Sequence, residues 1–182
     1  THSINDAKLF HNLSFDINSA EALHIRGGNG SGKSTLLRII LGITTPSKGL
    51  VELIKPDLKI SYLGHKNAVK SYLTPLENLE LLFHDAELKH AFKWLDQFGL
   101  TNVQDELTAN LSFGQQKKLA LIRVMAQSSE LIVLDEPFVG LDQATADQLK
   151  NFLAKKLSEG VGLILTSHID PMIECIELDL GV

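Results

Sequence analysis

The period of the hydrophobic pattern changes along this chain, and the changes divide it. Over residues 8–26 apolar positions alternate. Leu9, Leu13, Phe15 and Ile17, then Leu23 and Ile25, predict short strands broken by Asn18-Ser19-Ala20. Leu36, Leu37, Ile40 and Leu41 then fall on one helical face. They predict a helix over Ser34–Leu41 that Gly42 stops. After the turn at Thr44–Gly49, short strands are expected at Leu50–Ile54 and Ile60–Leu63. From residue 66 the period becomes helical. Thr74-Pro75-Leu76-Glu77 carries a capping box with proline at the first helical position. Leu76, Leu79, Leu82 and Phe83 line that helix. A second runs from about Ala86 through Leu88, Phe92, Leu95 and Phe98 to Gly99, and a third covers Lys117–Gln127. Strands return at Leu131–Leu134 and Gly162–Thr166 with a helix at about Gln143–Leu157 between them. Continuous apolar strands suit the centre of a parallel sheet. The expected fold is α/β, a mostly parallel core sheet with an antiparallel β edge. Residues 1–65 and 126–182 form the core, and a helical lobe is inserted at 66–125.

The chain has 182 residues, 44% of them hydrophobic and 21% charged, enough to bury a substantial core in a single domain. A net charge of −5 gives no global basic surface, so no nucleic-acid partner is expected. The single Cys175 cannot form an intrachain disulfide and reads as a buried thiol in a reducing compartment. No apolar run reaches bilayer-spanning length, and no charged-then-apolar start marks a signal peptide. A start at Thr1 and an abrupt end at Val182 suggest a piece of a longer protein.

Candidate chemistry concentrates at the ends of the predicted core strands. Residues 27–35 read Gly27-Gly28-Asn29-Gly30-Ser31-Gly32-Lys33-Ser34-Thr35, a match to the phosphate-loop pattern G-x-x-x-x-G-K-[ST]. Glycines let backbone N–H groups turn toward a polyphosphate, and the helix that follows favours an anion at its N-terminus. Lys33 places a charge on the outer phosphates, and the Ser34 hydroxyl can ligate Mg²⁺. The apolar strand Leu131–Leu134 ends in Asp135-Glu136. Asp135 would face the loop and hold the metal, and Glu136 could activate a water. A further strand ends at His168, either a structural histidine or one that orients that water and contacts a γ-phosphate. Leu111-Ser112-Phe113-Gly114-Gln115 opens the third helix of the lobe. It reads either as a Ser-capped terminus or as a second anion site, one that would close over the nucleotide of a partner copy. Asp142 is either a helix cap alone or part of the site.

These motifs, in this order, resemble the nucleotide-binding subunit of ABC transporters. Residues 27–35 are similar to Walker A, and Leu111–Gln115 to the LSGGQ signature with Phe113 in a glycine position. Leu131–Pro137 is similar to Walker B with its catalytic glutamate, Val139–Asp142 to the D-loop, and His168 to the switch histidine. The resemblance implies a P-loop NTPase fold of the ABC type and an ATPase using ATP and Mg²⁺. It also implies a head-to-tail homodimer with ATP between the Walker site of one copy and the signature of the other, and an integral membrane permease partner that handles the solute. The protein would then be cytoplasmic and peripheral on the inner face of the membrane. Tyr62–Lys70, Leu73–Leu79 and Asp135-Glu136-Pro137-Phe138 resemble the ATP-binding subunits of cytochrome c maturation systems, which implies haem as the solute.

The chain departs from the family pattern in three places. His65 stands where the Q-loop glutamine is usual, and imidazole is a poor Mg²⁺ ligand. Its expected role is an indirect contact to the metal site and a part in coupling, the alternative being an exposed loop histidine. Val139 replaces the usual D-loop serine. The adenine-stacking position falls near Ile4, with Phe10 and His11 as weak substitutes. The competing reading is a soluble ABC ATPase such as one of iron–sulfur cluster assembly. A P-loop kinase or GTPase has no use for the signature segment, and no Asn-Lys-x-Asp guanine motif is present.

Overall fold

The structure of the protein is a computed structural model, and it describes residues 1–4 and 7–181. The chain order is β1 (His2–Ile4), β2 (Ala7–Phe10), β3 (Ala22–Arg26), α1 (Lys33–Ile40), β4 (Ile60–Leu63), α2 (Pro75–Glu80), α3 (Asp85–Gln97), α4 (Phe113–Met125), β5 (Leu131–Asp135), α5 (Gln143–Ser158), β6 (Gly162–Thr166) and β7 (Ile176–Asp179). Two single-turn 3₁₀ helices, Thr101–Val103 and Thr108–Asn110, lie between α3 and α4.

Five strands form one sheet in the order β4-β5-β6-β3-β7, every neighbouring pair parallel. Alternate side chains of the inner strands enter different cores. Ile132, Leu134, Leu163 and Leu165 join one face, while Leu131, Val133, Ile164, Leu23 and Ile25 join the other. This two-sided burial is why the strands read as apolar runs rather than alternations. Helix α1 closes the second face through Leu36, Leu37, Ile39 and Ile40. Helices α4 and α5 cover the first through Leu119, Leu121, Ile122, Leu149 and Leu153. Trp94 of α3 meets Phe152 of α5 edge-on at 5.8 Å, joining the helical segment to the same core. Among the described residues no helix is long and apolar enough to cross a membrane.

Several elements differ from the sequence reading. Residues 11–21 form no strand, although Leu13, Phe15 and Ile17 alternate inward and pack on the core. Asn12, at φ 51°, turns the chain away from β2, and the extended segment finds no ladder partner. The stretch Leu50–Ile54 also has no ladder partner among the described residues; Leu50 and Ile54 are exposed. The antiparallel edge is therefore a two-stranded sheet, β1 with β2. Helix α2 stops at Glu80, which leaves Leu82 exposed beyond it while Phe83 stays buried. Helix α4 begins at Phe113 rather than Lys117, because Ser112 and Gln115 form a capping box. The edge strand β7 was not expected.

A polar knot holds the start of the helical segment. Asn78 is buried, and its Nδ2 donates to Lys70 O, Thr74 O and Thr108 Oγ1 while its Oδ1 accepts from Lys70 N–H at 2.8 Å. Asn78→Ala removes these bonds and leaves buried backbone groups unpaired. It should destabilise the fold by about 1–3 kcal/mol in urea unfolding, with nucleotide affinity measured below the transition unchanged.

Candidate active site

Parallel pairing brings the carboxyl ends of β3, β5 and β6 side by side, since Ile25 pairs with Thr166 and Thr166 with Asp135. In open α/β sheets this is the edge where ligands bind. The loop after β3 supplies residues 27–35, β5 supplies Asp135 and Glu136, and β6 leads to His168.

The loop is built for close approach. Gly32, the N-cap of α1, has φ 97° and cannot offer a side-chain cap. A Cβ there would press on the Phe10 ring and Leu9 of β2 at 3.2–3.3 Å. A Cβ at Gly27 would fall 2.5 Å from Ser31 Oγ, which folds beneath the loop. Gly28, Asn29 and Gly30 form the outer turn, with Gly30 at φ 83°. The first helical N–H to find a backbone acceptor is that of Leu36, bonded to Gly32 O. Among the described residues the N–H groups of Lys33, Ser34 and Thr35 have none, an open cluster of donors at a helix N-terminus. Lys33 is buried, and its Nζ donates to Gly27 O at 2.8 Å and Gly28 O at 3.2 Å.

The two acids meet the loop from the sheet. Asp135 is 1% exposed. Its Oδ1 accepts from Thr166 Oγ1 at 2.8 Å, and its Oδ2 is buried with no hydrogen-bond partner among the described residues. A buried oxygen without a donor fits a hard divalent cation, so Asp135 with the Ser34 hydroxyl suits Mg²⁺. Among the described residues no group of three His, Cys, Asp or Glu side chains forms a metal cage. Mg²⁺ takes one or two carboxylates and otherwise water and phosphate. Glu136 lies at φ 49°, a left-handed conformation that costs a residue with a Cβ about 1–2 kcal/mol. Its Oε1 lies 3.8 Å from Lys33 Nζ and 3.3 Å from His168 Nε2. Lys33, Glu136 and His168 thus form one cluster, with Asp135 adjacent to it.

The remaining expected residues lie elsewhere. Leu111 is buried and Phe113 exposed, its ring over Gly140, where a Cβ would come within 2.5 Å of it. Ser112 Oγ accepts from Gln115 N–H, and Ser112 N–H donates to Gln115 Oε1. Gly114 lies against Gly140 O, 2.9 Å from where a Cβ would stand. No hydrogen bond or ion pair among the described residues joins 111–115 to the phosphate loop. Asp142 caps α5 by accepting from Thr145 N–H and Oγ1, and pairs with Lys118 at 2.6 Å. The Lys118 contact, then the Thr145 bonds, hold its carboxyl far below the usual range. His65, expected to contact the metal site indirectly, makes no direct contact with the phosphate loop or the site acids among the described residues. His65 is exposed and lines a cavity of about 290 Å³ with Arg38, Tyr62, Lys66 and Arg123, and no phosphate-loop residue or site acid lines it. Phe10 is buried in the core and offers no face for adenine, whereas His11 is exposed. The side chain of Ile4 lies outside the described residues.

Three side chains at this edge had no assigned role in the sequence. Lys117 of α4 is buried; burial pushes its ammonium pKa down, and the charges of Asp135 and Glu136 pull it up. A lysine preceding an apolar helical run is its only sequence signal. His24 of β3 is buried with Nε2 3.0 Å from the carbonyl of Ser167, anchoring the turn into His168. Thr166 touches both acids. Cys175 is half-buried, and burial pushes its thiol up to about 11.

The ABC transporter family model matches residues 10–139. The chain is 38% identical over 172 residues to the cytochrome c biogenesis ATP-binding export protein CcmA of Pseudomonas savastanoi pv. phaseolicola, covering 88% of this chain and 81% of that protein. It is 37% identical to the protein of that name from Dechloromonas aromatica (90% and 86% covered) and 36% identical to that of Escherichia coli K12 (88% and 82%). Among solved structures, an ATP-binding subunit of an ABC transporter superposes with a TM-score of 0.82 at 23% identity, over 92% of this chain and 76% of that one. The ATP-binding cassette MJ0796, a dimer in a post-hydrolysis state bound to ADP and Pi, gives 0.75 at 26% identity, over 88% and 80%.

Lys33→Ala removes the buried ammonium that donates to the loop carbonyls of Gly27 and Gly28. ATP affinity by calorimetry should fall by about 1.5–3 kcal/mol, the value of a charged hydrogen bond, and turnover should vanish with the fold intact by circular dichroism.

Proposed function

The chain belongs to the ABC transporter family of ATP-binding proteins, and on that premise we propose that it is the energy-coupling subunit of a membrane export complex serving cytochrome c biogenesis. It binds and hydrolyses ATP. What carries the reading of the site is one cluster: Lys33, Glu136 and His168 within ion-pair distance, beside a buried Asp135 oxygen without a partner.

The residues divide the work. Backbone N–H groups of the loop and the Lys33 ammonium bind the phosphates. Ser34 and Asp135 hold Mg²⁺, which when bound neutralises charge on the phosphate oxygens. The Glu136 carboxylate takes the proton of the attacking water, and His168 orients that carboxylate and contacts the γ-phosphate. Leu111–Gln115 acts on the nucleotide of a second copy. The dimeric state of the similar cassette MJ0796 supports that arrangement. Residues 66–125 form the lobe that carries it. The cavity beside His65 faces the membrane partner, and its lining of Arg38, Lys66 and Arg123 suits an acidic segment. Haem is the proposed solute, handled by that partner. The shared name of the relatives favours this reading over iron–sulfur cluster assembly.

Glu136→Gln keeps size and shape but removes the base. Hydrolysis should fall by a factor of about 10²–10⁴, the usual worth of a general base, while ATP affinity persists and an ATP-dependent dimer accumulates on gel filtration. Wild-type turnover in that variant would place the base elsewhere.

Copies that act on each other's nucleotide also predict complementation. A Lys33→Ala chain and a Ser112→Arg chain, each inactive alone, should recover part of the wild-type rate when mixed, because a mixed dimer holds one intact composite site. Mixed dimers shown to form by mass spectrometry but without activity would mean a site built within one chain.

A further inference from the structure

We propose that Thr166 is a positioning residue of the ATPase site, a single hydroxyl that sets both the metal-facing oxygen of Asp135 and the direction of Glu136. The inference rests on the roles proposed above for those two acids.

Thr166 is the last residue of β6, fully buried, and it pairs across the ladder with Asp135. Its Oγ1 donates to Asp135 Oδ1 at 2.8 Å and accepts from Glu136 N–H at 2.9 Å. The same N–H lies 3.2 Å from Thr166 O. These contacts leave the hydroxyl no choice of orientation. The amide can only donate, so the single hydroxyl proton must point at the carboxylate. Asp135 is then held by Oδ1, and Oδ2 is left as the oxygen with no donor.

The other half of the bond acts on the backbone. Glu136 leaves the strand in a left-handed turn that a residue with a Cβ does not adopt unaided. Two acceptors on Thr166 fix its amide and so fix where the side chain starts. From there Oε1 reaches toward Lys33 and His168. The β-branch of threonine restricts χ1, so the hydroxyl is aimed before any ligand arrives. A serine keeps the hydroxyl with a freer rotor, and a valine keeps the shape without it.

The test compares Thr166→Val, Thr166→Ser and Glu136→Gln with wild type in the full chain. Two quantities are read: ATPase kinetics, and Mn²⁺ affinity by electron paramagnetic resonance in the presence of a non-hydrolysable ATP analogue. Thr166→Val should lower kcat and weaken Mn²⁺ binding, each by roughly tenfold or more, as expected for losing a hydrogen bond to a carboxylate. The KM for ATP should stay within about twofold, because the phosphate loop is untouched. Thr166→Ser should restore most of both losses. The wild-type Glu136 amide should also be protected in hydrogen exchange, a measurement independent of whether the valine chain folds. The proposal is overturned if Thr166→Val matches wild type in both readouts while Glu136→Gln is inactive. It is equally overturned if serine and valine are impaired alike, which would mark a packing defect, or if the Glu136 amide exchanges freely. Wild-type turnover in Glu136→Gln would instead overturn the assignment of the acids on which the inference stands.

Discussion

A carboxyl group buried to 1% exposure at the end of a central strand is the constraint around which this molecule is arranged. Burying such a group without partners is costly, so each neighbour of Asp135 can be understood by what it offers in return. Thr166 gives one hydrogen bond. Lys117 and Lys33 bring two buried cations to the same edge, where Glu136 adds a second acid. The cations and acids nearly balance within a site where water is scarce and charges interact strongly. Among the described residues six buried side-chain atoms lack a hydrogen bond, and three of them, Asp135 Oδ2, Glu136 Oε1 and Ser31 Oγ, belong to the phosphate loop and the acid pair, Glu136 Oε1 having only its ion-pair contacts with Lys33 and His168. Unsatisfied groups are rare in folded proteins, and the Asp135 oxygen beside the phosphate loop suits completion by a ligand. The parallel sheet makes this possible, since only parallel strands deliver three consecutive carboxyl ends to one side.

Much of this was legible in the sequence because the signal was local. The phosphate loop, the acid pair and His168 are short motifs at the ends of apolar runs, and the structure places Lys33, Glu136 and His168 within ion-pair reach of one another. Helix boundaries marked by capping chemistry were also readable: Thr74 with Glu77 opens α2, and Gly99 follows α3. The errors came where the outcome depended on a distant partner. Leu13–Ile17 has the alternation of a strand and packs its apolar side on the core, but no ladder forms beside it among the described residues. Leu50–Ile54 differs, since all five residues are exposed and bury neither face. Ile176–Asp179 alternates as well and does become a strand, because the edge of β3 is open beside it. Periodicity specifies which face is buried; it does not specify whether a neighbouring strand exists.

The residues missed at the site share a different cause. Thr166, His24 and Lys117 are unremarkable types in unremarkable local contexts. Their importance is set by the register of three strands and by the way α4 crosses the sheet. Ser112 shows the converse. Its sequence context allowed both a helix cap and a ligand contact, and its hydroxyl is engaged in the cap.

The two helix N-termini separate these roles. Helix α1 starts from a glycine in a left-handed conformation, so no side chain competes for its first N–H groups. Helix α4 starts from a capping box that uses the Ser112 hydroxyl and the Gln115 amide on each other. Even so, the N–H groups of Phe113 and Gly114 have no acceptor among the described residues, because a capping box satisfies only the N-cap and third positions. The exposed Phe113 ring lies against Gly140. That accommodation constrains both partners: any side chain at 140 would collide with the ring, and any at 114 with the carbonyl of 140. The substitution at 113 and the glycines at 114 and 140 are therefore one packing solution. It leaves the first two N–H groups of α4 without an acceptor among the described residues, as the first N–H groups of α1 are.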